Sequence, residues 1–294
     1  MSPYAEAVLL QVGINVLLAL GYWIAVSTGK YSFGHAAFMA IGAYAASMLT
    51  LNFAWPLPVA MLVAAVVAAV AGAVIGWMAL RLSLLYLAII TFIFGQLVEL
   101  LFAQWDYVGG ATGMIGMTGT TLTLVYSSIA VVVVYLVLLT RSRLGLAYAA
   151  IREDERAATA SGLRITRIAV GAFAASAAVT GVAGALAAHQ LMIITPSLFG
   201  PQQALLIILY CVLGGVQYFW GAAVGAIVLS VLPIWFEWLN DWYMIVYGLL
   251  FVVLMIVRPQ GLIGRSERSG GGPLLRRLRR DGAVAVERER EPVG

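Results

Sequence analysis

The sequence predicts an all-α protein, a polytopic transmembrane helix bundle of about nine spans, with eight to ten as the range. Three observations predict it. Of 294 residues 63% are hydrophobic and only 10% are charged, where a soluble domain carries about a quarter. Charge is also missing from long stretches. Between Tyr31 and Thr140 the only charged residues are Arg81, Glu99 and Asp106, and between Ile168 and Val257 only Glu237 and Asp241. Third, apolar runs follow one another near the ~20 residues that cross a hydrocarbon core. A soluble enzyme, a disulfide-stapled secreted scaffold and a disordered tail protein are excluded together, because so little charge would leave large apolar patches in water.

The first run is Ala7–Val26. No basic residue precedes it, so it lacks the positive region of a cleavable signal and is expected to stay in the mature protein. The second, Phe33–Leu51, is rich in Gly and Ala, and a broken or re-entrant helix buried in protein is expected there. The third, Leu57–Leu80, holds Gly72-x-x-x-Gly76, and the fourth, Leu84–Ala103, holds Gln96 and Glu99. The fifth is Leu122–Thr140; the sixth, Ile168–His189, carries Gly181 and Gly184. A short seventh run, Ala204–Val216, precedes Trp220–Trp238 with its Gly221-x-x-x-Gly225, and Trp242–Val257 closes the series. Lipid supplies no hydrophobic drive between helices, so small residues at helical spacing mark faces of close approach.

Orientation follows from the basic residues, which favour the cytoplasmic side. Arg141, Arg143, Arg152, Arg156, Arg164 and Arg167 share one loop, and calling that loop cytoplasmic also puts Lys30, Arg81 and the tail from Arg258 inside. Asp106, Glu237 and Asp241 then lie outside, where no Lys or Arg occurs. Nine spans with the N-terminus outside and the C-terminus inside satisfy the rule. The membrane domain is read as residues 1–264, with a charged tail at 265–294 expected to be flexible and dispensable.

The chemistry of the chain is sparse. Lys30, the sole lysine, reads Gly29-Lys30-Tyr31, so no Walker A loop is formed around it. His35, His189 and Cys211 are too few for a thiolate- or histidine-rich metal site, so no metal and no cofactor are expected in the chain itself. The densest charge in the membrane part lies in the 141–166 loop. It reads as helical over Leu146–Ala160, with Arg152/Glu155 and Glu153/Arg156 at the i,i+3 spacing that brings opposite charges together. Gly162 is placed to end that helix. Charges at one end and Ala157, Ala158 and Ala160 at the other suit docking into a soluble partner, although a solvated loop helix reads equally well from the residues alone. Polar groups inside spans usually face a bundle interior or cavity. They nominate Asn15, Ser32, His35, Tyr44, Thr91, Gln96 and Glu99 as candidates for a translocation pathway.

Several longer segments carry a resemblance. These are Tyr31-Ser-Phe-Gly-His-Ala-Ala-Phe-Met-Ala-Ile-Gly-Ala-Tyr44, Tyr86-Leu-Ala-Ile-Ile-Thr-Phe-Ile-Phe-Gly-Gln96 and Gly109-Gly-Ala-Thr-Gly113. Ala150-Ile-Arg-Glu-Asp-Glu-Arg-Ala-Ala-Thr-Ala-Ser-Gly162, Leu213-Gly-Gly-Val-Gln-Tyr-Phe-Trp-Gly221 and Arg258-Pro-Gln-Gly261 follow in order. With them the chain, from about Gly21 to Gly264, resembles the LivM/LivH family of membrane permeases from branched-chain amino-acid ABC importers, and is closer to the LivM branch.

The resemblance implies a transport subunit without its own ATPase site. A separate cytoplasmic ATPase would use ATP and Mg. The other implied partners are a second, LivH-like permease subunit and a periplasmic or extracellular substrate-binding protein, in the bacterial inner membrane and surrounded by lipid. Nucleic acid is not expected as a partner. Arg152, Glu153, Asp154, Glu155, Ala157, Ala158 and Gly162 would form the segment that docks the ATPase. Arg156 stands where the wider importer motif has Glu, and Gln96 where the family usually has an acid. Branched-chain amino acids, urea and small carboxylates all fit the family's range. The alternative from another class is a stand-alone secondary transporter or channel, for which Glu99 would be the one coupling carboxylate near a span.

Overall fold

The computed structural model describes residues 2–235, together with Gly248 and Gly261. Ten α-helices carry the described part: α1 (Pro3–Val26), α2 (His35–Phe53), α3 (Leu57–Ala79), α4 (Leu84–Gln104), α5 (Leu122–Arg141), α6 (Arg143–Glu153), α7 (Glu155–Ala160), α8 (Ile165–Leu191), α9 (Pro201–Gly214) and α10 (Phe219–Trp235). Two short strands, β1 (Met114–Ile115) and β2 (Ile193–Ile194), pair antiparallel. Among the described residues seven helices are long and apolar enough to cross a membrane: α1 to α5, α8, and α9 taken with the 3₁₀ turn before it (Pro196–Gly214). The apolar stretch of α10 is shorter, Phe219–Leu232. The expected ninth run and the 265–294 tail lie outside the described residues.

Local signals set the helix ends. Ser2 caps α1, its hydroxyl accepting from the Ala5 amide, and Pro3 occupies the first turn, where a missing N–H costs nothing. Thr121 caps α5 in the same way. The second span begins at His35 rather than Phe33, because residues before Gly34 are not helical. From His35 to Phe53 that helix is continuous, so the expected break does not occur. Its Gly and Ala content has another cause. A Cβ on Gly42 would overlap the Gly181 backbone, and one on Gly184 would overlap the Met39 backbone. The small residues let α2 and α8 pack backbone to backbone.

The other small-residue pairs act likewise. Gly72 faces Ala177 and Gly76 faces Phe173, joining α3 to α8, while Gly221 and Gly225 lie against Gly214, joining α10 to α9. Packing sorts the helices into two groups. From Leu10 onward α1 is buried on nearly all sides, and α8 is buried along most of its C-terminal two thirds. Peripheral helices instead keep one apolar face open. Val59, Leu62, Val66, Val70 and Val74 on α3, and Leu85, Ile89, Ile93, Leu97 and Leu100 on α4, are exposed at helical spacing. In water such stripes would aggregate; in a bilayer they face acyl chains.

The two ends of the bundle differ. At one end β1 and β2 close the connections that follow α4 and α8. At the other, Trp23 Nε1 donates to the Val216 carbonyl (3.0 Å), Lys30 meets Glu155, and α6 and α7 cap the helices.

Candidate functional site

The loop between α5 and α8 is two helices, not the single helix expected over Leu146–Ala160. Asp154 breaks it. Its backbone is extended, and its Oδ1 accepts from the Arg156 (2.7 Å) and Ala157 (3.1 Å) amides, so it caps α7 while ending α6. Ser142 caps α6 through the Gly145 amide (3.3 Å). At the far end Gly162 takes φ +82, with its amide on Thr159 O and the Leu163 amide on Ala158 O. That is a Schellman ending, at the glycine expected to close the helix, and only glycine reaches it cheaply.

The break redirects the charges. The i,i+3 pairs foreseen on one helix give way to an ion pair between Lys30 and Glu155. Lys30 is nearly buried in the α1–α2 connection, where Ser27, Thr28 and Ser32 are buried with it. Arg152 packs beside it: a Cβ on Gly29 would sit 3.3 Å from Arg152 Cα. Arg152 also lines a crevice with Trp23, Tyr148, Gln217 and Tyr218. Burial pushes the Tyr148 phenol up to about 12, with Tyr135 adding to it, so Tyr148 stays neutral. Tyr31 is pushed up by burial and by the Cys211 thiol, with the Arg152 guanidinium opposing.

Of the seven docking candidates, Glu153, Asp154, Glu155, Ala157 and Gly162 are exposed and Arg152 is half-buried. Ala158 departs from expectation. It is 3% exposed and faces the bundle, because α7 is short and turns one side onto the protein. Lys30 was not among the candidates; as the lone lysine in a predicted loop it gave no periodic signal.

The seven interior candidates divide. Five gather along the seam of α2, α4 and α9. Thr91 Oγ1 accepts from the Phe33 amide (3.0 Å) and donates to Leu87 O (2.8 Å), while Ser32 Oγ accepts from the Gly34 amide (3.0 Å). Gln96 lies in a narrow crevice with Phe33, Ala36, Phe92, Phe199 and Gly200. Its Nε2 is 3.5 Å from Glu99 Oε2, and the Glu99 carboxylate lies against Gly200, the residue before α9. Tyr44 stacks on Phe102 at 4.1 Å, beside Phe199. A carboxylate at that helix N-terminus is favoured by unpaired amides and the helix dipole. Gln203, whose Nε2 reaches Met39 Sδ (3.6 Å), adds a polar group from α9 that the sequence did not single out.

Asn15 and His35 lie elsewhere. Asn15 Nδ2 donates to Ser230 Oγ (2.9 Å), tying α1 to α10. His35 is 1% exposed, with Nε2 2.7 Å from Ser176 Oγ, and that hydroxyl donates to Gly21 O (2.6 Å). His35, the Ser176 hydroxyl and Gly21 O thus form one buried chain, in which the donor between ring and hydroxyl is set by the imidazole tautomer. Tyr22, Phe38 and Phe173 meet the imidazole edge-on. These contacts make His35 a pin joining α1, α2 and α8.

A family model described as branched-chain amino acid transport system, permease component, matches residues 4–255. The chain belongs to that family. Among curated proteins this permease is similar to the high-affinity branched-chain amino acid transport system permease protein LivM of Salmonella typhimurium strain LT2 and of Escherichia coli strain K12. With each it shares 32% identity over 296 aligned residues, covering 87% of this chain and 67% of the relative. No solved structure matches. Family membership and the apolar helices together make this a multi-pass membrane permease component, a transport subunit rather than a catalytic enzyme.

Proposed function

We propose that this permease is the membrane subunit of an ATP-driven importer for branched-chain amino acids or a closely related small polar solute. A separate ATPase subunit, using ATP and Mg, docks on α6 and α7 from the cytoplasm. A second, LivH-like permease chain completes the pore, and a binding protein delivers substrate from outside. The arginine distribution supports this orientation in the bacterial inner membrane, N-terminus outside and C-terminus inside. Urea and small carboxylates are the neighbouring substrate classes.

The single observation that carries the mechanism is the Lys30–Glu155 ion pair. It links the docking segment to the buried connection that leads into α2, the helix whose other side forms the polar seam. A push on α7 thereby reaches Ser32, Phe33 and the Thr91 hydrogen bond without passing through flexible chain. The seam is closed in this structure, and its groups suit an apolar amino acid once the helices part. Glu99 offers a carboxylate to the ammonium, Gln96 and Gln203 offer amide groups, and Phe92, Phe199 and Ala204 offer apolar wall. Measuring leucine uptake, and its competition by urea and by small carboxylates, in vesicles carrying the permease and its partner subunits tests the substrate class. Uptake of leucine that requires ATP supports the reading; uptake driven by an ion gradient alone contradicts it.

A further inference from the structure

We propose that the cytoplasmic end of the α3–α8 groove is a binding site for the headgroup of an anionic phospholipid. Trp77 and Arg81 come from the end of α3 and the turn after it; Thr166 and Arg167 come from the first turn of α8. Together with Ala73, Val170, Gly171 and Ala174 they line a depression of about 590 Å³ on the outer surface of the bundle. Its two halves differ in chemistry. At the end, the Arg81 guanidinium stands 4.8 Å over the Trp77 ring, and Arg167 and Thr166 line the same depression. Among the described residues neither arginine forms an ion pair with a carboxylate within 4 Å. Further along, the wall is apolar and smooth, and a Cβ on Gly171 would meet nothing within 4 Å.

The occupant is fixed by charge and position. Guanidinium groups bind phosphate through paired, charge-assisted hydrogen bonds. Tryptophan prefers the level of lipid headgroups, and Trp77 is 58% exposed in line with the lipid-facing valines of α3. Basic residues at the inner surface attract anionic lipids. The phosphate then sits between Arg81, Arg167 and Thr166, and one acyl chain runs along Gly171, Ala174 and Ala73.

The inference uses the proposed orientation only to place the lipid in the inner leaflet. Its test does not depend on orientation, so the two fail separately. The full-length chain, purified in detergent, is titrated with phosphatidylglycerol, with phosphatidylcholine and with inorganic phosphate, and retained adducts are counted by native mass spectrometry. Phosphatidylglycerol should be retained at least about five-fold better than phosphatidylcholine. The Arg81→Gln/Arg167→Gln variant should erase that preference. Gly171→Leu, which fills the apolar half and keeps both charges, should lower phosphatidylglycerol retention on its own. Equal retention of the two lipids, an unchanged preference in both variants, or displacement of the lipid by millimolar phosphate overturns the proposal. So does a groove found occluded by a second permease chain that co-purifies.

Discussion

Lys30, nearly buried in the connection between α1 and α2, forms an ion pair with Glu155 at the start of α7. Glu155 is about half exposed (48%), so the pair contributes at most ~1 kcal/mol. That is too little to hold the bundle together. It is comparable with the energies that bias two conformations of a coupled machine. In the proposed mechanism the pair acts as a linkage more than as a brace.

Neighbouring alanines in α7 should behave differently. Ala158 is buried and Ala157 is exposed. Ala158→Leu overpacks the contact with the bundle and should cost about 1–3 kcal/mol, read as a lower melting temperature in detergent. Ala157→Leu should leave that temperature within error yet reduce co-purification of the ATPase subunit.

Gly162→Leu separates strain from bulk. A Cβ there has open space, but φ +82 penalises any L side chain by roughly 1–2 kcal/mol. Gly162→Ala carries the same strain without the bulk. Both variants should insert normally, and only the leucine should strongly weaken ATPase binding in a pull-down from membranes.

The α2–α8 contact should tolerate nothing larger than glycine at its centre. Gly42→Ala drives a methyl into the Gly181 backbone and should lower the folded yield severely. Gly171→Ala, on the open side of α8, should be close to neutral, or mildly stabilising through helix propensity. Comparable yields for the two would contradict the packing described.

Pathway and pin are distinguished by substitution. Glu99→Gln removes the carboxylate at the α9 N-terminus and should cut uptake several-fold at unchanged expression. Ser176→Ala removes the His35 partner and should cost about 0.6–1.7 kcal/mol of stability, while uptake per folded molecule stays near normal. Transport assays normalised to folded protein read both.

How much of this was legible beforehand depended on the kind of signal. Spans showed clearly because lipid demands runs of fixed length, and Gly72, Gly76, Gly181, Gly221 and Gly225 showed because close packing needs small residues at helical spacing. Gly162 showed through its place after Ala160. Asp154 did not, since a carboxylate amid a charged run reads as surface until its hydrogen bonds to two amides are seen. For the same reason the charges in 152–156 suggested pairs within one helix, whereas the cap turned Glu155 toward Lys30. His35 and Tyr44 look alike in sequence, as polar groups in one Gly/Ala-rich span. Opposite faces of α2 send one to Ser176 and the other to Phe102, which composition cannot reveal.

The charge exchange at residues 30 and 155 tests the central claim most directly. Substrate-stimulated ATP hydrolysis and leucine uptake would be measured in vesicles for Lys30→Glu, Glu155→Lys and the double exchange. Each single variant should still bind the ATPase subunit and hydrolyse ATP, but uptake per ATP should fall about five-fold or more. The double exchange should recover at least half of the coupling. If both singles transport with normal coupling, or if the double exchange recovers nothing, the ion pair does not carry motion from the docking helices to α2 and the mechanism is wrong.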